Sequence, residues 1–208
     1  MDTSTAIPFQ FIAGHPALDF VNTVGGKRQE QPREGLRRPE DLVAWGRLSG
    51  VLSAEEAQAL GQQAAAHPAQ AQKALRRAVA FRESLYRLLL ALAEGRPGPD
   101  VEVATLQAEV HQALAARRLV CTAAGCSWSP PGVVLRDSVV PRLALATEAL
   151  LTGGALGRLR LCEATEEDGC GWLFLDTTRN HSRRWCEMAV CGNKYKARRH
   201  YARVRAQG

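Results

Sequence analysis

Nowhere does this chain hold an apolar run near the ~18 residues that a membrane-crossing helix needs, and its first residues lack the charged-then-apolar pattern of a secretory leader. Both absences set the expectation of a cytoplasmic protein. No phosphate loop and no recognisable nucleophile–base pair stand out, so an enzyme is not the first expectation. Most of the chain also lacks net positive charge. The formal charge of +6 on 208 residues is confined to one end: residues 171–208 carry nine Lys/Arg against Asp176 and Glu187, while the other 170 residues hold 18 basic and 19 acidic groups. Such asymmetry points to a polyanionic partner for the tail and to another role for the body.

What is present in quantity is cysteine, with six residues. In a reducing compartment thiols are more often metal ligands or small buried residues than disulfides. Four of them form two pairs, Cys162-x7-Cys170 and Cys186-x4-Cys191, with fifteen residues between the pairs. Zinc(II) takes four thiolates tetrahedrally at ~2.3 Å, so two local turns carrying two cysteines each can close a structural site with no open position. One such zinc ion per chain is expected. A segment of this size cannot build a sufficient core without a staple of this kind. The remaining two cysteines, Cys121 and Cys126, could supply ligands or a cross-strand disulfide; the reading adopted is two small apolar residues in a hairpin, because the tetrahedral shell is already filled.

Along the body, Gly14-His15-Pro16-Ala17-Leu18-Asp19-Phe20-Val21-Asn22-Thr23 places Pro16 at a first helical position and sets Asp19 and Asn22 three apart on one face. Polar groups beside an apolar stripe must find partners. They bond either to one another and the backbone or to a small molecule held by His15, Asp19 and Asn22. Val24 to Arg38, rich in glycine, proline and charge, reads as a mobile loop. A short helix then opens at Pro39, and Ser53-x-x-Glu56 is a capping box ahead of an alanine-rich helix. From Pro68 a longer helix carries Ala74, Ala78, Phe81, Leu85, Leu88, Leu89 and Leu92 at helical spacing, and Gly95 stops it. Val101 to Arg117 reads as a helix with Val103, Leu106, Val110 and Leu114 on one side, and Val139 to Leu151 as the last body helix. Cys121 and Cys126 flank a β-hairpin turn, and Leu159–Cys162 and Trp172–Leu175 read as strands joined by a turn over Glu163 to Gly169.

The expected fold is therefore mainly α with small β-hairpins: a helical N-terminal domain over residues 1–154, and a small four-cysteine zinc-finger module over residues 155–208 built from a β-hairpin and a basic helix. Gly153-Gly154 is the expected hinge. After Gly192 the final helix sets Ala197, Tyr201 and Val204 on one stripe and leaves Lys194, Arg198, Arg199, His200, Arg203 and Arg205 for its flanks and outside.

The run Cys170-Gly171-Trp172-Leu173-Phe174-Leu175-Asp176 through Arg183-Arg184-Trp185-Cys186 to Cys191-Gly192-Asn193-Lys194 resembles the CGNR zinc finger, with Lys194 in place of the arginine that names it. The Gly14–Thr23 stretch is similar to the signature of the ABATE domain, which precedes that finger in bacterial proteins described as stress-induced transcription regulators. The resemblance implies zinc at Cys162, Cys170, Cys186 and Cys191 and binding to double-stranded DNA. Candidate contacts to the nucleic acid are Arg179, Arg183, Arg184, Lys194, Lys196, Arg198, Arg199 and Arg203. Lys194 keeps the charge but loses the planar fork, which suits a phosphate or structural role better than base reading. On this reading the body senses a small-molecule effector or forms a homodimer. Two other classes compete: an RNA-binding or ribosome-associated module stacking bases on Trp172, Trp185, Tyr195 and Tyr201, and an enzyme built around His15, Asp19 and Asn22.

Overall fold

A computed structural model describes residues 9–28, 30–129, 138–164 and 169–206. In chain order the elements are α1 (Pro16–Val21), β1 (Val24–Lys27), β2 (Gln31–Glu34), α2 (Pro39–Leu48), α3 (Ala54–Ala66), α4 (Pro68–Ala93), α5 (Asp100–Ala115), β3 (Leu119–Thr122), β4 (Gly125–Trp128), α6 (Val139–Thr152), β5 (Leu159–Leu161), β6 (Leu173–Leu175) and α7 (Asn193–Ala206). The strands form three antiparallel pairs, β1–β2, β3–β4 and β5–β6. The expected class, mainly helical with small hairpins and a cysteine-rich end bearing a final helix, is the class observed.

Local chemistry explains the helix ends. Pro16, Pro39 and Pro68 each open a helix at the position where the missing N–H costs nothing. Ser53 and Glu56 form the reciprocal capping box of α3. Gly50 and Gly95 stop α2 and α4 with left-handed φ of 75° and 72°.

Helix α4 is the axis of the body. Its stripe Ala74, Ala78, Phe81, Leu85, Leu88 and Leu89 is buried, and α1, α2, α3, α5 and α6 pack around it together with β5 and β6. The core is centred on Trp45 and Phe20, whose rings lie 4.9 Å apart, with Leu18, Leu85, Leu89 and Leu143 fully enclosed. It runs without interruption into Phe174, Leu173 and Cys162 of the C-terminal module.

Three expectations are corrected. Val24 to Arg38 is not a loop throughout: β1 and β2 pair with Val24 opposite Glu34 and Lys27 opposite Gln31. A part-buried ion cluster holds this hairpin, which its composition alone would not. Arg82, 2 % exposed, grips both Glu34 oxygens at 2.7 and 2.6 Å and donates to Thr23 and Glu83, while Arg28 pairs with Glu83 and lies 3.8 Å over the Tyr86 ring. In α5 the expected side is rotated: Val103 and Leu114 are 44 % and 49 % exposed, whereas Glu102, Leu106 and Ala113 are buried. Ion pairs to α4 set that rotation, Arg87–Glu102 and Arg77–Glu109, each at 2.6 Å. Finally, Cys121 and Cys126 are exposed cross-strand partners joined in a disulfide, not apolar packing residues, because the β3–β4 register sets them directly opposite. Part of the expected Glu163–Gly169 turn lies outside the described residues.

An ion pair also ties α3 to α6. Arg142 grips the Glu56 carboxylate at 2.6 and 2.7 Å, and its hydrogen bond holds that carboxyl down at about 2. Because the folded-state value lies below the ordinary one, the pair stabilises above pH ~4.5 and its contribution fades as pH falls toward ~2. Glu56→Gln is expected to lower stability by about 1–2 kcal/mol at pH 7. Urea midpoints of the two proteins, compared from pH 7 down to about pH 2.5, should narrow only below pH ~4.5 and converge toward the acid end; a gap that persists unchanged would refute the assignment.

Candidate metal centre and adjoining cavity

Two turns deliver the four cysteines. Cys162 follows β5, its N–H bonded to the Trp172 carbonyl at 2.9 Å. Cys170 stands between Gly169 and Gly171, both at φ 64°, a left-handed backbone open to glycine at little cost. Cys186 and Cys191 bracket a tight turn that closes on Glu187, whose carbonyl accepts from Cys191 and Gly192 at 3.0 and 3.2 Å. A Cβ on Gly192 would lie 2.4 Å from the sulfur of the exposed Met188, which a larger residue there would have to displace.

The four sulfurs lie within 4.8 Å of one another, with Cys170–Cys186 at 3.5 Å and Cys186–Cys191 at 3.6 Å. A tetrahedron of Zn–S bonds of ~2.3 Å sets its sulfurs about 3.8 Å apart, so the geometry fits. The Cys186 N–H donates to the Cys162 sulfur at 3.4 Å, the kind of bond that steadies a thiolate. Among themselves the thiols compete: hydrogen bonds from Cys170 and Cys186 hold Cys162 down at about 2, and those same bonds push Cys170 and Cys186 upward. A dication removes the competition by taking all four as thiolates. Cys162, Cys186 and Cys191 are buried and Cys170 is half-buried, so the centre is a closed structural one. Four cysteines are thus positioned to bind one zinc ion.

The module is fastened to the body by the Gly14–Thr23 motif. Asn22 donates to the Leu173 carbonyl at 2.8 Å and accepts from its N–H at 3.1 Å, so one side-chain amide acts as a further strand partner for β6. Asp19 accepts from Ala13 at 3.0 Å, and the Ala13 carbonyl takes the Leu175 N–H at 2.9 Å. His15 accepts the Ala17 N–H at 3.2 Å and caps α1; burial lowers its pKa, which suits that acceptor role. Trp172 donates to the Val24 carbonyl and Tyr86 to that of Gly171, both at 2.9 Å. Asn22→Leu leaves the Leu173 N–H and carbonyl without a partner and is expected to cost about 2–3 kcal/mol. A urea midpoint shift with zinc content intact is the expected pattern; no shift would show the clasp to be dispensable.

The candidate nucleic-acid residues divide. Lys194, Lys196, Arg199 and Arg203 are exposed along α7, and Arg179 is exposed on the preceding loop. Arg183 turns inward: its guanidinium donates to the carbonyls of Trp185, Ile12 and Cys186 and lies 4.5 Å over Phe174. That placement corrects its assignment as a phosphate contact. Arg184 is half committed, bonded to Glu163 at 2.7 Å and stacked over Trp185 and Tyr195. Arg198 is half-buried near the root of α7. The stripe of Ala197, Tyr201 and Val204 faces solvent, with Tyr201 68 % and Val204 54 % exposed.

Between the β1–β2 hairpin and the cysteine turns lies a cavity of ≈ 290 Å³. Asp19 and Asn22 reach its wall and His15 does not, so the structure brings two of the three candidate ligand residues together there. The wall also carries Phe9, Trp172, Arg33 and Lys194; the sequence reading selected Lys194 and Trp172 only as nucleic-acid contacts, and did not select Phe9 or Arg33. The adjacent Gly25 and Gly26, a bare-backbone pair, were the only available signal.

Comparison with known families agrees with this layout. A family model described as "CGNR zinc finger" matches residues 158–204. The ABATE model, described as "Putative stress-induced transcription regulator", matches residues 14–154. A search of curated proteins finds no match.

Proposed function

The chain belongs to the ABATE family and carries a CGNR zinc finger at its C-terminal end, and from that premise we propose that it is a zinc-dependent transcription regulator, not an enzyme, whose α7 binds duplex DNA. In this reading residues 155–208 are the DNA-binding module, residues 1–154 sense an effector or form a homodimer, and the protein works in the cytoplasm. No described helix is long and apolar enough to cross a membrane.

One observation carries the proposal. Lys196, Arg199 and Arg203 recur at i, i+3 and i+7 on an exposed helix of 14 residues, rooted directly on Cys191. Such a helix is about 21 Å long, and its row of cations can follow phosphates along a groove. A closed zinc centre at its root supplies rigidity without adding chemistry.

The RNA alternative loses support from the aromatic residues. Trp172 is held by its N–H, and Trp185 and Tyr195 pack together at 5.5 Å beneath Arg184. Of the four rings considered for base stacking, Tyr201 alone is exposed.

Fluorescence anisotropy of the zinc-loaded protein on mixed-sequence duplex and single-stranded probes, titrated across salt, tests the reading. Duplex binding that weakens with salt by a slope near −0.9 per phosphate contact is expected. Equal or tighter binding to single strands would favour the RNA module, and no binding at low salt would end both.

A further inference from the structure

The cavity beside the cysteine turns has the features of a ligand site. Its ≈ 290 Å³ lies at the small end of the range for pockets that bind metabolites. The apolar part of its wall includes Phe9 and Trp172, and Trp172 is fixed in place by its bond to the Val24 carbonyl at 2.9 Å. On the β1 side Gly25 and Gly26 carry no side chain, and the Arg33 side chain lies over them, its guanidinium 3.7 Å from where a Gly25 Cβ would stand.

The charged groups on the wall define what could enter. Arg33 and Lys194 are exposed, and their side chains make no hydrogen bond or ion pair with the described residues. Asp19 is already committed to the Ala13 N–H, and Glu187 stands on the same wall. Four thiolates on one zinc(II) add a formal −2 beside it. Two cations therefore invite a negative group, while Glu187 and the metal centre oppose a second negative charge on the same ligand.

We propose that this cavity binds a small, flat, apolar monocarboxylate, with its carboxylate between Arg33 of β2 and Lys194 of α7 and its apolar body against Phe9 and Trp172. The site joins the body to the first turn of the basic helix. As a control point for DNA binding it rests on the regulator reading; the binding itself does not.

The probe is 2-naphthoate, titrated by isothermal calorimetry into the zinc-loaded full chain in the absence of DNA, with neutral 2-naphthamide and dianionic 2-naphthyl phosphate as charge controls. Saturable binding at one molecule per chain is expected, with both controls at least about tenfold weaker, as a charge-assisted hydrogen bond predicts. Arg33→Gln and Lys194→Gln should each weaken 2-naphthoate by about tenfold or more. Gly25→Val should abolish binding with the urea midpoint and zinc content retained, because a Cβ there meets nothing closer than Arg33 at 3.7 Å. Absence of saturable 2-naphthoate binding, equal affinity for the amide, or indifference to both cation substitutions would overturn the proposal. Since no DNA is present, loss of the DNA reading leaves this result standing, and the reverse also holds.

Discussion

Cys186→Ser is expected to strip zinc from the chain and unfold its C-terminal module. Cys186 touches the other three: its sulfur lies 3.5 Å from that of Cys170 and 3.6 Å from that of Cys191, and its N–H bonds the Cys162 sulfur. Apparent binding energies for structural zinc in small modules reach about 10–16 kcal/mol at neutral pH and appear as folding energy. The effect should exceed that of any single hydrogen bond in the chain. Metal analysis should fall from about one zinc per chain toward none, and the lowest-temperature unfolding transition should disappear or drop sharply. A chelator or mild acid should do the same to the unmodified protein, since the ligands bind as thiolates and protons compete for them. Cys121→Ser should leave the metal in place, because Cys121 pairs with Cys126 in another hairpin. Full zinc retention in Cys186→Ser would refute the four-cysteine centre.

The second large effect concerns nucleic acid. Reversing Lys196, Arg199 and Arg203 to Glu is expected to lower duplex affinity by at least about a thousandfold at low salt and to reduce the salt slope by about 2.7, the counterion release of three phosphate contacts. All three side chains are exposed, so fold and zinc content should be unchanged. Arg183→Ala provides the contrast. Its guanidinium is bound to three carbonyls, so its loss should show first in stability. Unaltered affinity and slope in the triple variant would mean that α7 does not contact DNA, and the exposed Tyr201–Val204 stripe would then be the surface to explain.

Much of this protein is readable without coordinates. Proline at the start of three helices, the Ser53–Glu56 box and the glycines after α2 and α4 are local signals, and each acts within a few residues of itself. The α4 stripe is equally local, because one face of one helix carries it. Cysteine spacing indicated the metal centre since zinc accepts any four thiolates brought within reach.

Other features depended on residues far apart in the chain. The β1–β2 hairpin is held by Arg82 on α4, 48 positions from Glu34, and no window over Val24–Arg38 contains that cation. Helix α5 was turned by Arg77 and Arg87 on its neighbour, where ion-pair geometry outweighed a weak apolar stripe.

By itself, the sequence determined the helices, the closed cysteine centre and the basic helix that follows it, because spacing and periodicity set each of these locally. Only the tertiary structure decided that Asn22 pairs with the backbone of Leu173, 151 residues away, that Arg183 serves the fold, and that Arg33 and Lys194 border one cavity. Those outcomes depend on how the module seats against the body, and hydrogen bonds and burial between distant segments leave no periodic mark in the chain.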